Sequence, residues 1–194
     1  MASRDTGTEQ HIKDTAKKIF FEQGRFNATT QDIAEAAGVA RTVINYYFRS
    51  KDALFKQVFD EAMAETGAKM DSVLCTEIPF KEKVIAFIDM FTDEISLYPY
   101  KESFFISEIN THGFIPPVKE HPGFEIFFKE TQEAVNKREI KQITPIDFLI
   151  NILSLVAYPL LTRRLFEKTL AENNTNFTQL MQARKKMIVD LLFS

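Results

Sequence analysis

The stretch TTQDIAEAAGVARTVINYYFRSK, from Thr29 to Lys51, leaves a chain little choice of local structure. A threonine at 29 or 30 can cap a helix by accepting from its orphan amides, and Asp32 in the first turn complements the positive end of the helix dipole. Ile33, Ala34 and Ala37 then share one side of that helix, its expected buried side. Gly38 stands where the chain must reverse, because a residue without a Cβ accepts the positive φ that such a turn demands. Val39 gives the turn an apolar anchor, and a second helix of barely two turns is expected from about Arg41 to Phe48. A helix that short holds only by packing against its neighbours, so its residues must divide into two faces.

At about 100° per residue the division is visible. Arg41, Thr42, Asn45 and Tyr46 fall on one side, and Val43, Ile44, Tyr47 and Phe48 on the other. The first side is polar and long-reaching. Arginine offers a fork to guanine and asparagine can pair with an adenine edge, so this face suits a DNA major groove. Ser50 is placed to cap the following helix, which leaves Lys51 at an N-terminus that favours phosphate.

The remaining chain reads as all-α. Its 194 residues are 45% apolar, enough for a substantial core, with few glycines, no Asn-Gly or Asp-Gly hairpin signal and no sustained alternation of apolar and polar residues. The net charge of −3 divides into +2 for residues 1 to 51 and −5 for the rest, so affinity for DNA must come from local placement rather than bulk charge. Cys75 stands alone, which excludes an intramolecular disulfide and suggests a buried thiol in a reducing cytoplasm. The N-terminus lacks a signal-peptide pattern, and the longest apolar stretch, Ile146 to Leu161, is interrupted by Asp147, Asn151, Ser154 and Pro159. A cytoplasmic protein with no membrane partner is expected.

Along the chain, a loose arm over residues 1 to 7 should precede a first helix with Ile12, Ala16, Ile19 and Phe20 inward and Gly24 at its end. From Ser50 a long helix through Leu54, Phe55, Val58, Phe59 and Ala62 should link this small bundle to the rest. Further helices are expected around Val84 to Ile95, Phe104 to Ile109 and Phe124 to Val135, with an irregular loop from His112 to Gly123. A nearly all-apolar helix from Ile146 to Phe166 should open on Pro145 and be kinked or broken by Pro159. The last helix carries Phe177, Leu180, Met181, Met187, Ile188 and Leu191 on one stripe. Together these final two helices could build a two-fold four-helix bundle with a second subunit, or simply complete the chain's own core.

The ordered pattern Thr30-x-x-Ile33-Ala34-x-x-Ala37-Gly38-Val39, then Ile44, Tyr47-Phe48 and Ser50-Lys51-x-x-Leu54, resembles the TetR family of transcriptional regulators. Beyond Phe59 the resemblance is one of architecture alone. It implies an N-terminal three-helix helix-turn-helix DNA-binding bundle, residues 1–51, followed by a larger helical ligand-binding and dimerisation domain, residues 52–194. Arg41, Thr42, Asn45 and Tyr46 then occupy recognition-helix positions, while Thr30, Tyr47 and Lys51 match positions that contact phosphates in such proteins. Tyr47 fits both readings if its ring packs inward and its hydroxyl extends to the rim. The resemblance further implies a homodimer through the two C-terminal helices, double-stranded operator DNA as partner and a small-molecule effector. Ala40, Thr42 and Asn45 depart from the residues common in the family, serine, glycine and tyrosine, so an operator cannot be carried over from relatives.

Other chemistry has less to stand on. The 19 phenylalanines sit at helical spacing, which makes core packing the default for each, but Phe87, Met90, Phe91, Phe104, Phe105, Phe127, Phe128 and Tyr158 are the candidates for lining a ligand pocket. Glu108, His112 and His121 invite a metal reading, which the absence of a second carboxylate-histidine pair disfavours. No nucleophile has a recognisable histidine partner motif and no phosphate-cradling glycine loop appears. The expectation is therefore a ligand-responsive regulator, acting as a repressor, with no enzymatic activity, no cofactor and no metal. The alternatives are a helical interaction module or an all-α enzyme, both of which leave the Thr29 to Lys51 pattern unexplained.

Overall fold

The computed structural model of the protein describes residues 6–114 and 121–193. Residues 1–5 of the expected N-terminal arm and the Pro116-Pro117 segment lie outside the described residues, as does the side chain of Ile95, whereas positions 6 and 7 of that arm already belong to α1. Every regular element described is helical: α1 (Thr6–Lys17), α2 (Thr30–Ala37), α3 (Arg41–Phe48), α4 (Lys51–Leu74), α5 (Phe80–Leu97), α6 (Lys101–His112), α7 (Pro122–Asn136), α8 (Pro145–Leu161), α9 (Arg163–Glu172) and α10 (Phe177–Leu192). A single π-turn, Lys18–Glu22, prolongs α1. The chain is all-α, with an N-terminal helix-turn-helix bundle and a larger helical part after it.

Packing separates two compact units, Met1–Glu65 with Leu97–Pro116, and Thr66–Ser96 with Pro117–Ser194. In the first, Ile12, Ala16 and the three successive residues Ile19, Phe20 and Phe21 are buried, and the wider π-turn is what lets that apolar run stay on the core side. Ile33 and Ala34 of α2, Ile44 and Phe48 of α3, and Leu54, Phe55, Val58 and Phe59 of α4 complete three sides of this core. α6 closes it. The Tyr100 amide donates to the Phe21 carbonyl (2.9 Å) and the Tyr100 ring lies against Gly24, where a Cβ would be 2.9 Å from the ring. Phe104 then inserts among Phe20, Phe21, Phe26 and Phe55. The sequence-based division fell after Lys51, whereas packing carries the first unit on to Glu65 and adds Leu97–Pro116 to it.

The second unit surrounds Phe87, Phe127, Phe148 and Ile152. Lys83 is buried inside it, paired with Glu130 of α7 at 2.6 Å. α7 has no cap from its own preceding side chain; Asp71 of α4 supplies one, accepting from the Gly123 amide (2.9 Å) and from the His121 Nδ1–H (2.8 Å). Gly67 permits this joint, since a Cβ there would overlap the His121 ring.

Three expectations need correction. The helix expected over Ile146 to Phe166 ends at Leu161, and α9 departs from it at 71°. Pro159 sits inside α8 and lacks an N–H for the Leu155 carbonyl, which accepts instead from the Arg184 guanidinium of α10 (2.9 Å). The stripe assigned to the last helix divides: Phe177, Met181 and Ile188 turn inward, while Met187 and Leu191 are exposed. Cys75 is exposed, because α4 ends at Leu74 and leaves it in the following turn. No single helix among the described residues is long and apolar enough to cross a membrane.

Candidate nucleic-acid interface

The interface is built on α2, the turn after it and α3. Thr29 is the cap of α2, its Oγ1 accepting from the Asp32 amide (3.2 Å) while Asp32 Oδ2 accepts from the Thr29 amide (2.7 Å). Thr30 is thereby freed from capping and occupies the first helical position, partly exposed. The Thr29 hydroxyl and amide, and then Arg25, hold the Asp32 carboxyl below the usual carboxylate range. A group lowered in this way adds stability above its unfolded-state value and loses it as pH falls through the folded one. Thr29→Ala should cost about 1 kcal/mol in urea denaturation. A loss below a few tenths would show that the cap contributes nothing.

Gly38 closes α2 at φ +68°, with its own amide on the Glu35 carbonyl (3.2 Å) and that of Val39 on the Ala34 carbonyl (3.0 Å). This left-handed closure turns the chain so that α3 can begin two residues after Val39 has reached the core. Ala40 cannot cap α3 with its methyl group, where a serine could.

On α3, Ile44, Tyr47 and Phe48 are buried and Val43 is half-buried against the core. Arg41, Thr42, Asn45 and Tyr46 are all exposed on the opposite face. The Tyr46 ring stands edge-on to that of Tyr47, with centroids 5.1 Å apart, which fixes its direction out of the helix. α3 ends at Arg49, a non-glycine residue at φ +62° whose amide donates to the Asn45 carbonyl (3.0 Å). Ser50 Oγ accepts from the Ala53 amide (3.1 Å), opening α4, and Lys51 sits in its first turn with Nζ 4.7 Å from the Phe55 ring centroid. Arg49 is exposed between Asn45 and Lys51, at a corner set by its backbone geometry rather than by its residue type.

Beneath the first turn of α4 lies Glu108 of α6, buried and 3.0 Å from His112 Nδ1. Burial raises its carboxyl above the usual range, opposed by His112 and, less strongly, by Lys51. The sequence had placed Glu108 and His112 on one helix face, and they do meet there, 3.0 Å apart. His121 is not with them; it is held by Asp71 in the second unit. Among the described residues no group of three or more His, Cys, Asp or Glu side chains gathers to hold a metal.

The eight pocket candidates are dispersed. Phe104 and Phe105 belong to the first unit's core, and Phe87 and Phe127 to the second's. Met90, Phe91 and Phe128 pack half-buried against that second core. Tyr158, on α8, is 59% exposed.

The profile of the family described as bacterial regulatory proteins, TetR family, matches residues 12–58. The HTH-type transcriptional regulator AcrR of Shigella flexneri is 37% identical over 60 residues, 31% of this chain and 28% of that protein. YhgD of Bacillus subtilis, named as an uncharacterized HTH-type transcriptional regulator, is 34% identical over 74 residues, 38% of each chain. The matched segment thus spans well under half the length of these relatives. Among solved structures, FadR from Bacillus subtilis in complex with stearoyl-CoA aligns with a TM-score of 0.62 at 17% identity, over 94% of this chain and 98% of that one. SCO4942 from Streptomyces coelicolor, described as a putative transcriptional regulator, aligns with a TM-score of 0.68 at 18% identity over 94% of each chain. At such identities the likeness is one of fold.

Proposed function

We propose, from the match of residues 12–58 to the TetR-family profile, that the protein belongs to that family and is a cytoplasmic, ligand-responsive repressor that binds double-stranded operator DNA as a homodimer. The observation that carries this reading is the exposed polar face of α3 on a short helix whose other face packs against the core, with Ile44, Tyr47 and Phe48 buried and Val43 half-buried. Arg41, Thr42, Asn45 and Tyr46 read base edges, and Thr30, Tyr47 and Lys51 hold phosphates. Residues 1–51 serve as reader, and residues 52–194 as sensor and dimeriser.

Support for a second copy comes from α8 and α10. Ile146, Ile150, Tyr158 and Leu161 form an exposed stripe on α8, and Met187 and Leu191 one on α10. Apolar faces of this kind on neighbouring helices fit a two-fold four-helix bundle. A reader dimer also suits DNA, since two recognition helices must address two half-sites about one helical turn apart. Support for an effector is by analogy with FadR, solved with stearoyl-CoA. A ligand acts here only through its preference for the form in which the two readers are misplaced. The relatives that match are named as regulators, which favours this reading over an enzyme.

Selection of bound duplexes from a random DNA pool by the purified protein tests the proposal. A recovered two-fold motif, with binding that weakens as salt rises, is expected; the absence of any enriched sequence would sink it. On that motif Arg41→Ala should cost roughly 10- to 100-fold in affinity and relax one base position. Lys51→Ala should weaken all sequences alike and reduce the salt slope by about one. Equal effects of both changes on base preference would contradict the division of roles.

A further inference from the structure

We propose that the second unit binds a small organic cation in the cleft between α5, the first residue of α9 and α10. The proposal rests on the reading of this unit as a ligand sensor and names the class of its effector. The cleft has a volume of about 430 Å³, within the range of roughly 300–1,000 Å³ usual for small-molecule sites. Phe177 and Met181, both buried, give it an apolar floor.

The charges around that floor are unequal in their engagement. Asp89 is neutralised by Lys185, whose ammonium donates to it at 2.6 Å. Arg163 is balanced by Glu167 one turn along α9, at 2.7 Å, with its guanidinium carbon 5.1 Å from the Phe177 ring centroid. Asp93 lies on the same wall as Asp89, exposed, with no hydrogen-bond or ion-pair partner among the described residues. The lining therefore presents one uncompensated carboxylate beside an aromatic ring whose face already accepts a cation. A ligand with a single positive charge and an apolar body satisfies both, its ammonium at Asp93 and its body on Phe177 and Met181. An anion would meet two carboxylates, and both basic groups of the lining are already engaged.

At about 100° per residue, the cleft residues Phe177, Met181 and Lys185 are centred about 100° around α10 from the exposed Met187 and Leu191.

The test uses the purified full chain and titration calorimetry at neutral pH. The cationic probes are phenethylamine and benzyltrimethylammonium; 3-phenylpropionate and phenethyl alcohol are the anionic and neutral counterparts. At least one cation should bind saturably with one site per chain, and Asp93→Asn should weaken it by about tenfold or more with an unchanged melting temperature. The counterparts should not bind. The site is overturned if no cation binds, if Asp93→Asn binds as the parent does, or if the anion and alcohol bind as tightly as the amine. A second measurement adds the binding cation to the protein on its selected DNA. Binding that leaves DNA affinity unchanged supports the site and removes the sensor reading, so the two can fail separately.

Discussion

Phe104→Ala should destabilise the first unit by about 3–5 kcal/mol, the cost of emptying a large aromatic site that cannot collapse. Phe104 is wholly buried, stacked on Phe20 with centroids 5.1 Å apart and planes at 7°, and edge-on to Phe21 at 5.3 Å. Phe26 and Phe55 contact it from the other sides. These partners come from α1, the segment leading to α2, and α4, so the cavity would be walled by three elements that cannot all move inward. Chemical denaturation of the purified protein measures the loss, and a value below 1 kcal/mol would remove Phe104 from the core of the reader. DNA affinity should fall with stability while base preference is kept. Arg41→Ala should show the opposite signature, which separates support from reading.

Glu130→Ala should cost a similar amount, about 3–5 kcal/mol, because it strands the Lys83 ammonium in the second unit's interior. The Lys83 side chain is 0% exposed, and both carboxylate oxygens of Glu130 lie 2.6 Å from its nitrogen. The reverse change, Lys83→Met, should cost less, since the Glu130 left behind keeps 28% of its side chain in contact with water. Replacing both residues, Lys83→Met with Glu130→Leu, should restore stability to near that of the parent, as apolar pairs often match buried ion pairs. Denaturant midpoints of the four proteins decide it. Equal losses from the two single changes would refute the asymmetry in burial on which the prediction stands.

Much of the reader was legible because its determinants are local. The Thr29 cap, the Gly38 closure, the Ser50 cap and the two faces of α3 each depend on residues within about one helical turn of one another. The same holds for Pro145 opening α8; the Thr144 cap before it and the Asn176 cap of α10 are seen only in the structure. The pocket candidates were a different problem. Helical spacing marked Phe104 and Phe127 alike as inward-facing, but periodicity carries no information about which core a side chain enters. Phe104 went to the reader because Tyr100 docks on Phe21 and Gly24, a contact between residues far apart in the chain. The cation cleft was invisible for the same reason: Asp89 and Lys185 are separated by 96 residues.

The end of α8 shows the boundary between the two kinds of information. Pro159 announced a missing amide, and an interruption was expected there. That α8 nevertheless continues to Leu161, with the Leu155 carbonyl satisfied by Arg184, depends on α10 lying alongside it. The sequence by itself determined the capped starts of α2 and α4, the opening of α8 on Pro145 and which four side chains α3 leaves exposed, but not the start of α9 or the division of the α10 stripe. The tertiary structure decided which surface each apolar face meets, which charges are paired and which are left over. A helix face is a property of residues three and four apart, while a partner is a property of the whole chain's path.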